Sequence, residues 1–141
     1  MPVLRIIGNG RAGGALALAL EDRGWIVRDR RGRGDAVHDA AQGVDLLVIS
    51  TPDASIADVA ASVRPSTDGT TVVAHLAGSL GLDVLRAAGH RRVTAIHPLV
   101  SLPDAALGAR RLVGAWFAVA GDPMGAQVVA ALDGRSFSVA D

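Results

Sequence analysis

Three side chains able to move a proton or hold a small polar substrate, His75, His97 and Ser79, stand in a chain with no Lys, Tyr or Cys. Without Cys there is no thiol nucleophile, no disulfide and no thiolate metal ligand. Without Lys there is no Schiff base, and without Tyr or Lys no phenol- or ammonium-driven proton transfer. Imidazole and hydroxyl chemistry remain. His75 closes the apolar run Thr71–Ala74, and His97 closes Val93–Ile96. Each ring either serves as an acid or base at a sheet rim or orders its own loop through backbone hydrogen bonds. The two His lack the carboxylate pattern of a metal site, so no metal is expected. Ser79 either binds a substrate carboxylate or caps the helix after it, and the cap is favoured. His38 and His90 read as surface residues.

A second group of residues acts through its backbone. Gly8-Asn9-Gly10-Arg11-Ala12-Gly13 follows the apolar run Val3–Ile7 and leads into Gly14-Ala15-Leu16-Ala17-Leu18-Ala19-Leu20. In this strand–turn–helix setting a GxGxxG string is a dinucleotide-binding signature. Gly8 permits the sharp turn, Gly10 lets a pyrophosphate approach the backbone, and Gly13 lets the helix pack closely on the sheet. The free N–H groups of the first helical turn then face the phosphates. Arg11 either covers the pyrophosphate or is simply exposed there. Asp29 lies about where an acidic residue would hold the ribose hydroxyls of NAD, but Arg30, Arg31 and Arg33 follow at once, and Arg suits the extra phosphate of NADP. The arginine cluster favours NADP, with NAD as the alternative and a solvated loop as the plainest reading. Thr51-Pro52-Asp53 ends another apolar strand, and this loop is placed along the cofactor ribose. The Asp53 side chain itself is better read as a helix N-cap.

These residues need a scaffold that brings them to one edge. Apolar runs alternate with helical patterns, as in βαβ units. Strands are expected at 3–7, 25–28, 45–50, 71–75, 93–97, 115–120 and 137–139. Helices are expected at 11–22, 36–41, 55–63, 81–88 and 123–132. Gly24 closes the first helix, 30–34 is read as a polar loop, and 98–108 as irregular. The fold class is α/β: a Rossmann-like doubly wound, mostly parallel sheet with helices on both faces, in a three-layer αβα sandwich. Ligands of such sheets bind beyond the carboxyl ends of the strands, where the glycine loop, the arginines, Thr51–Asp53, His75–Ser79 and His97–Leu99 would converge.

Composition agrees with that architecture. The chain has 141 residues, of which 50% are hydrophobic but only 3% aromatic, so the core must be built of Ala, Val, Leu and Ile. The formal net charge of zero argues against a nucleic-acid or anionic membrane surface. No apolar run reaches transmembrane length, and no signal peptide is evident, so the expected compartment is the cytoplasm.

The strings Gly8–Gly13, Ser50-Thr51-Pro52-Asp53, His75-Leu76-Ala77-Gly78-Ser79-Leu80-Gly81 and Ile96-His97-Pro98-Leu99 together resemble a bacterial two-domain family. It has an N-terminal Rossmann-like domain and a C-terminal helical domain of unknown function, and is described as predicted NADP-dependent oxidoreductases. The layout is more distantly similar to pyrroline-5-carboxylate reductase, ketopantoate reductase and the 6-phosphogluconate/β-hydroxyacid dehydrogenases. The resemblance spans residues 1–141, the dinucleotide-binding domain; the family's helical domain lies beyond Asp141. It implies an oxidoreductase acting on a small imine, keto or hydroxy acid. Gly8, Asn9, Gly10, Arg11, Ala12, Gly13, Arg30, Arg31, Thr51, Pro52, Asp53 and Gly78 would bind cofactor, with His97, His75 and Ser79 as catalytic candidates. It also implies a homodimer in a form carrying the helical domain. This chain alone should self-associate weakly through an apolar patch near Leu99–Leu107 and the last helix. The alternative is a nucleotide-binding regulatory or sensor module without hydride transfer.

Overall fold

Period-two burial shows how the strands build two cores. In β3 (Leu46–Ile49), Leu46 and Val48 enter one hydrophobic cluster while Leu47 and Ile49 enter another on the opposite face. A strand buried on both faces reads as a continuous apolar run, which is why this one is legible in sequence. The computed structural model describes residues 1–140. The other strands are β1 (Val3–Ile7), β2 (Ile26–Arg31), β4 (Val72–His75), β5 (Arg92–Pro98), β6 (Trp116–Gly121) and β7 (Arg135–Ser138). Among the described residues they form one seven-stranded sheet in the order β2-β1-β3-β4-β5-β6-β7. All neighbours are parallel except β5 and β6, so β6 and β7 run against the rest.

The helices are α1 (Arg11–Asp22), α2 (Ile56–Ser62), α3 (Asp83–Arg86), α4 (Ala105–Leu112) and α5 (Met124–Ala131). Residues of α1, α4 and α5 pack on one face and those of α2 and α3 on the other, which makes the three-layer doubly wound sandwich. The chain goes from β1 outward to β2 and then returns past β1 to β3. The switch point therefore lies between the carboxyl ends of β1 and β3, where such sheets bind ligands.

Several expectations are corrected. Strand β2 runs on to Arg31, so Arg30 and Arg31 are strand residues and not part of a loop. They pair with Ile6 and Ile7, and the Gly8 N–H donates to the Arg31 carbonyl at 2.7 Å. Residues 36–41 form turns and no helix; Ala40 and Ala41 are buried, and the Ala40 carbonyl accepts from Arg5 Nη1 at 2.7 Å. The segment read as irregular contains α4. Asp104 caps it by accepting from the Leu107 N–H at 2.7 Å, and Arg110 and Arg111 suit its C-terminal dipole. Gly108 in its middle is a contact surface, since a Cβ there would lie 2.9 Å from Ala15 Cβ of α1. His90 is buried, with Nε2 donating to the Ala60 carbonyl at 3.0 Å.

The exposed apolar groups also differ from expectation. Leu99 is exposed, but α5 buries Met124, Val128 and Val129. The patch runs from Leu99, whose N–H donates to the Trp116 carbonyl at 2.9 Å, to the edge formed by β6 and β7, where Trp116 is 48% and Phe137 44% exposed, their ring centroids 6.3 Å apart. An open edge strand beside exposed aromatics favours chain–chain pairing. Sedimentation should therefore show an average mass that rises with concentration, and Trp116→Lys should suppress the rise. A strictly monomeric wild type at high concentration would contradict this.

Candidate functional site

The glycine loop is shaped by what each glycine touches. Gly8 sits at φ +126°, and a Cβ there would lie 2.5 Å from the Ser50 carbonyl oxygen. A Cβ on Gly13 would lie 3.1 Å from Ser50 Oγ and 3.2 Å from Ile6 Cγ2, so this residue sets how closely α1 approaches β1 and β3. Gly10 is different: nothing lies within 4 Å of a Cβ built on it. It is the N-cap of α1, with no side-chain cap and no acidic residue in the first turn. A helix terminus with free amides, a positive dipole end and open space beside it is suited to an anion.

That space opens into a cleft of about 610 Å³. Gly10, Arg11 and Ala12 form one wall, Ser50–Asp53 and Leu76-Ala77 another, and Ser101–Pro103 a third. Thr51 Oγ1 is buried and has no hydrogen-bond partner among the described residues. A buried unpaired hydroxyl costs about 1–3 kcal/mol, so its retention on the cleft wall points to a ligand group. Asp53 does not cap a helix. Its carboxylate accepts from Ser79 Oγ–H at 2.9 Å and joins the loop after β3 to the loop after β4. Ser79 therefore does not cap α3 either.

His75 is completely buried and both ring nitrogens are engaged. Nδ1 accepts from the Ala77 N–H at 3.1 Å and Nε2 donates to the Gly81 carbonyl at 2.9 Å. It clasps the turn at 77–81. His97 is half-buried, and its Nδ1 donates to the Leu76 carbonyl at 3.0 Å, which leaves Nε2 as the basic nitrogen. Its ring lies where a side chain on Gly78 would be, 2.6 Å from Nε2 to a built Cβ. His97 does not line the large cleft. It faces a hollow of about 280 Å³ floored by Ala95, Ala118 and Ala120, and Ala77 is the residue shared by both spaces.

At β2 the three residues 29–31 alternate faces. Asp29 and Arg31 share one face and Arg30 takes the other, toward α1. Asp29 accepts from Arg5 Nε at 2.7 Å and from Arg31 Nε at 3.0 Å. Arg31 Nη1 also donates to Asp39 at 2.5 Å and to the Ala36 carbonyl at 3.1 Å. Burial would raise the Asp29 carboxyl, yet its hydrogen bonds from Arg5 and Arg31 hold it below the ordinary carboxylate range. The Arg31 hydrogen bond likewise lowers Asp39. Both carboxylates are ionised at neutral pH. Their support of the fold is complete above the ordinary carboxylate range and fades as pH falls through their lowered values. Arg30 goes elsewhere: its Nη2 donates to the carbonyls of Gly8 at 3.0 Å and Gly10 at 3.3 Å. Asn9 lies over Gly32, which has no Cβ to meet it.

The fold and the switch-point cleft together define a Rossmann-like α/β domain. Solved structures share that fold. A candidate NADP oxidoreductase from Bacteroides fragilis superimposes with a TM-score of 0.75 at 16% identity, covering 98% of this chain and 60% of its own. Prephenate dehydrogenase from Aquifex aeolicus, solved with NAD+ and hydroxyphenyl propionate, gives 0.76 at 15% identity, covering 99% and 60%. A reductive aminase from Aspergillus terreus, solved with NADPH and ethyl levulinate, gives 0.70 at 19% identity, covering 100% and 55%. The chain thus spans between 55% and 60% of the length of these structures. No family model and no curated relative matches it. Among the described residues no helix is long and apolar enough to cross a membrane, and no group of three or more His, Cys, Asp or Glu is placed to hold a metal ion.

Proposed function

We propose that this chain is the dinucleotide-binding domain of an NADP-dependent oxidoreductase acting on a small imine, keto or hydroxy acid. The observation that carries the reading is the open face of Gly10 at the bare N-terminus of α1, beside the unpaired Thr51 hydroxyl. The α1 amides and the glycine loop would hold the diphosphate, with Asn9, Arg11 and Ala12 at its border. Thr51 and Pro52 would line the nicotinamide ribose, and the Ser79–Asp53 bond would hold that wall closed. The bound dinucleotide would supply hydride chemistry. His97 Nε2 is the group best suited to hold or move a substrate proton. His75 keeps the turn that shapes Gly78 and places the His97 partner Leu76. The likeness to structures solved with NADPH or NAD+ supports a dinucleotide. The resemblance of the motifs supports a homodimer in a form that carries the helical domain. The cytoplasm is the compartment proposed for it, on the sequence features given above.

Arg31 is the residue proposed for the 2′-phosphate, and it is shared with Asp39. Calorimetric titration should give an NADPH preference over NADH of about tenfold or more, the effect of one charge-assisted contact. Arg31→Ala should erase that preference. Asp39→Asn, which releases one guanidinium nitrogen, should increase NADPH affinity several-fold and leave NADH unchanged. Equal affinities in the wild type would point to NAD, and binding of neither would remove the nucleotide reading.

A second reading is favoured by one feature. His97 faces a hollow apart from the glycine-loop cleft, an arrangement that also suits a nucleotide-binding regulatory module without hydride transfer. NADPH turnover with a panel of imines and 2-keto acids, using a form that carries the helical domain, separates the two. Turnover lost in His97→Gln supports the oxidoreductase.

A further inference from the structure

Arg30 occupies an unfavourable place. Its guanidinium lies against the first turn of α1, with Nη1 3.4 Å from a Cβ built on Gly14. A cation there opposes the positive end of the helix dipole. Among the described residues no carboxylate pairs with Arg30; its hydrogen bonds go only to the carbonyls of Gly8 and Gly10. Nε is buried without a partner. Arg30 is thus held at an electrostatic cost by neutral groups, one residue away from an arginine that has two carboxylates.

The two carbonyls explain the placement. Gly10 lines the cleft, and its carbonyl also accepts from the Gly14 N–H at 3.0 Å, the first bond of α1. Arg30 Nη2 joins that carbonyl to the Gly8 carbonyl across the turn. Engaged by one guanidinium nitrogen, they fix the loop with its amides available, and the unpaired charge adds attraction for the anion. A diphosphate at this point would also supply the missing counter-charge.

We propose that Arg30 is a positioning residue for the diphosphate, clamping the glycine loop from the α1 face, and that it does not read the 2′-phosphate. The proposal rests on the dinucleotide reading above for its ligand, but the clamp itself can be tested without ligand. In Arg30→Met, amide hydrogen exchange at Gly8 and Gly14, whose N–H groups donate to the Arg31 and Gly10 carbonyls, should accelerate in the free protein, while the exchange of β3 and β4 and the unfolding midpoint stay near those of the wild type. Titrated with NADPH, NADH and ADP, this variant should bind all three about tenfold or more weakly, with the NADPH-to-NADH ratio unchanged. Arg30→Lys, which keeps the charge and a single donor nitrogen, should recover part of the loss.

Unchanged exchange at Gly8 and Gly14 would overturn the clamp whether or not any nucleotide binds. A loss confined to NADPH would overturn it by assigning Arg30 to the 2′-phosphate. An Arg30→Met chain that fails to fold would overturn it by assigning the residue to the fold. Failure of the wild type to bind all three nucleotides would remove the dinucleotide reading, and the exchange measurement would still decide the clamp.

Discussion

Gly10→Thr is expected to abolish dinucleotide binding while leaving the unfolding midpoint close to that of the wild type. The backbone of Gly10, at φ −78° and ψ −178°, is open to any residue. A side chain there meets no protein atom within 4 Å of its Cβ. Thr ranks with Gly as an N-cap, so α1 should not be weakened. The added Cβ, methyl and hydroxyl would occupy the space through which a pyrophosphate reaches the amides. A loss of at least about 100-fold in affinity for NADPH and NADH alike is expected, or about 2.7 kcal/mol. Calorimetric titration and thermal unfolding of the same preparation check both halves. Undiminished binding would mean that the ligand does not enter over Gly10, and the cleft would lose its main support.

Gly8→Ala is expected to do the reverse and strike the fold first. Its φ of +126° lies in a region that side chains rarely adopt, and a methyl there would press on the Ser50 carbonyl at 2.5 Å. Positive φ costs about 1–3 kcal/mol for a residue with a Cβ, and overpacking against rigid backbone adds about 1–3 kcal/mol. The contact is between the ends of two adjacent parallel strands in mid-sheet, so neither side can withdraw without breaking ladder bonds such as Ser50 N–H to the Ile7 carbonyl at 2.8 Å. A fall of about 3 kcal/mol or more in unfolding free energy should appear in denaturant titration. A fall below about 1 kcal/mol would mean that the β1–β3 junction is soft. The paired substitutions assign neighbouring glycines of one motif to different tasks.

How much of this was legible in sequence depends on whether a residue answers to its neighbours or to distant chain. The strands β1, β3, β4 and β5 and the glycine loop follow from local pattern, since each is an apolar run stopped by a turn residue. The helix α4 was not legible, because Pro98, Pro103 and Gly108 are local breakers. Pro103 stands just before the Asp104 cap, and Gly108 is used for contact with Ala15. The end of β2 is hidden in sequence because its arginines look solvated, yet Arg5, itself buried, offers Asp29 a partner from the neighbouring strand. Charge pairing across strands leaves no signal within a short window. The same holds for Ser79 and Asp53, each read as a local cap but bonded to the other. His75 and His97 stand at the carboxyl ends of β4 and β5, as their apolar runs imply, and only their hydrogen bonds separate a buried clasp from a ring with a free nitrogen.

The close approach of α4 to α1 carries a consequence for synthesis. The loop and its helix leave the ribosome well before α4. Gly14 and Ala15, however, are covered by Ala105 and Gly108, which emerge much later. Until then the apolar side of α1 lacks the α4 contacts that complete its surroundings. A nascent chain therefore carries the glycine loop long before the cleft around it is complete, and a ligand of that cleft cannot assist its early folding.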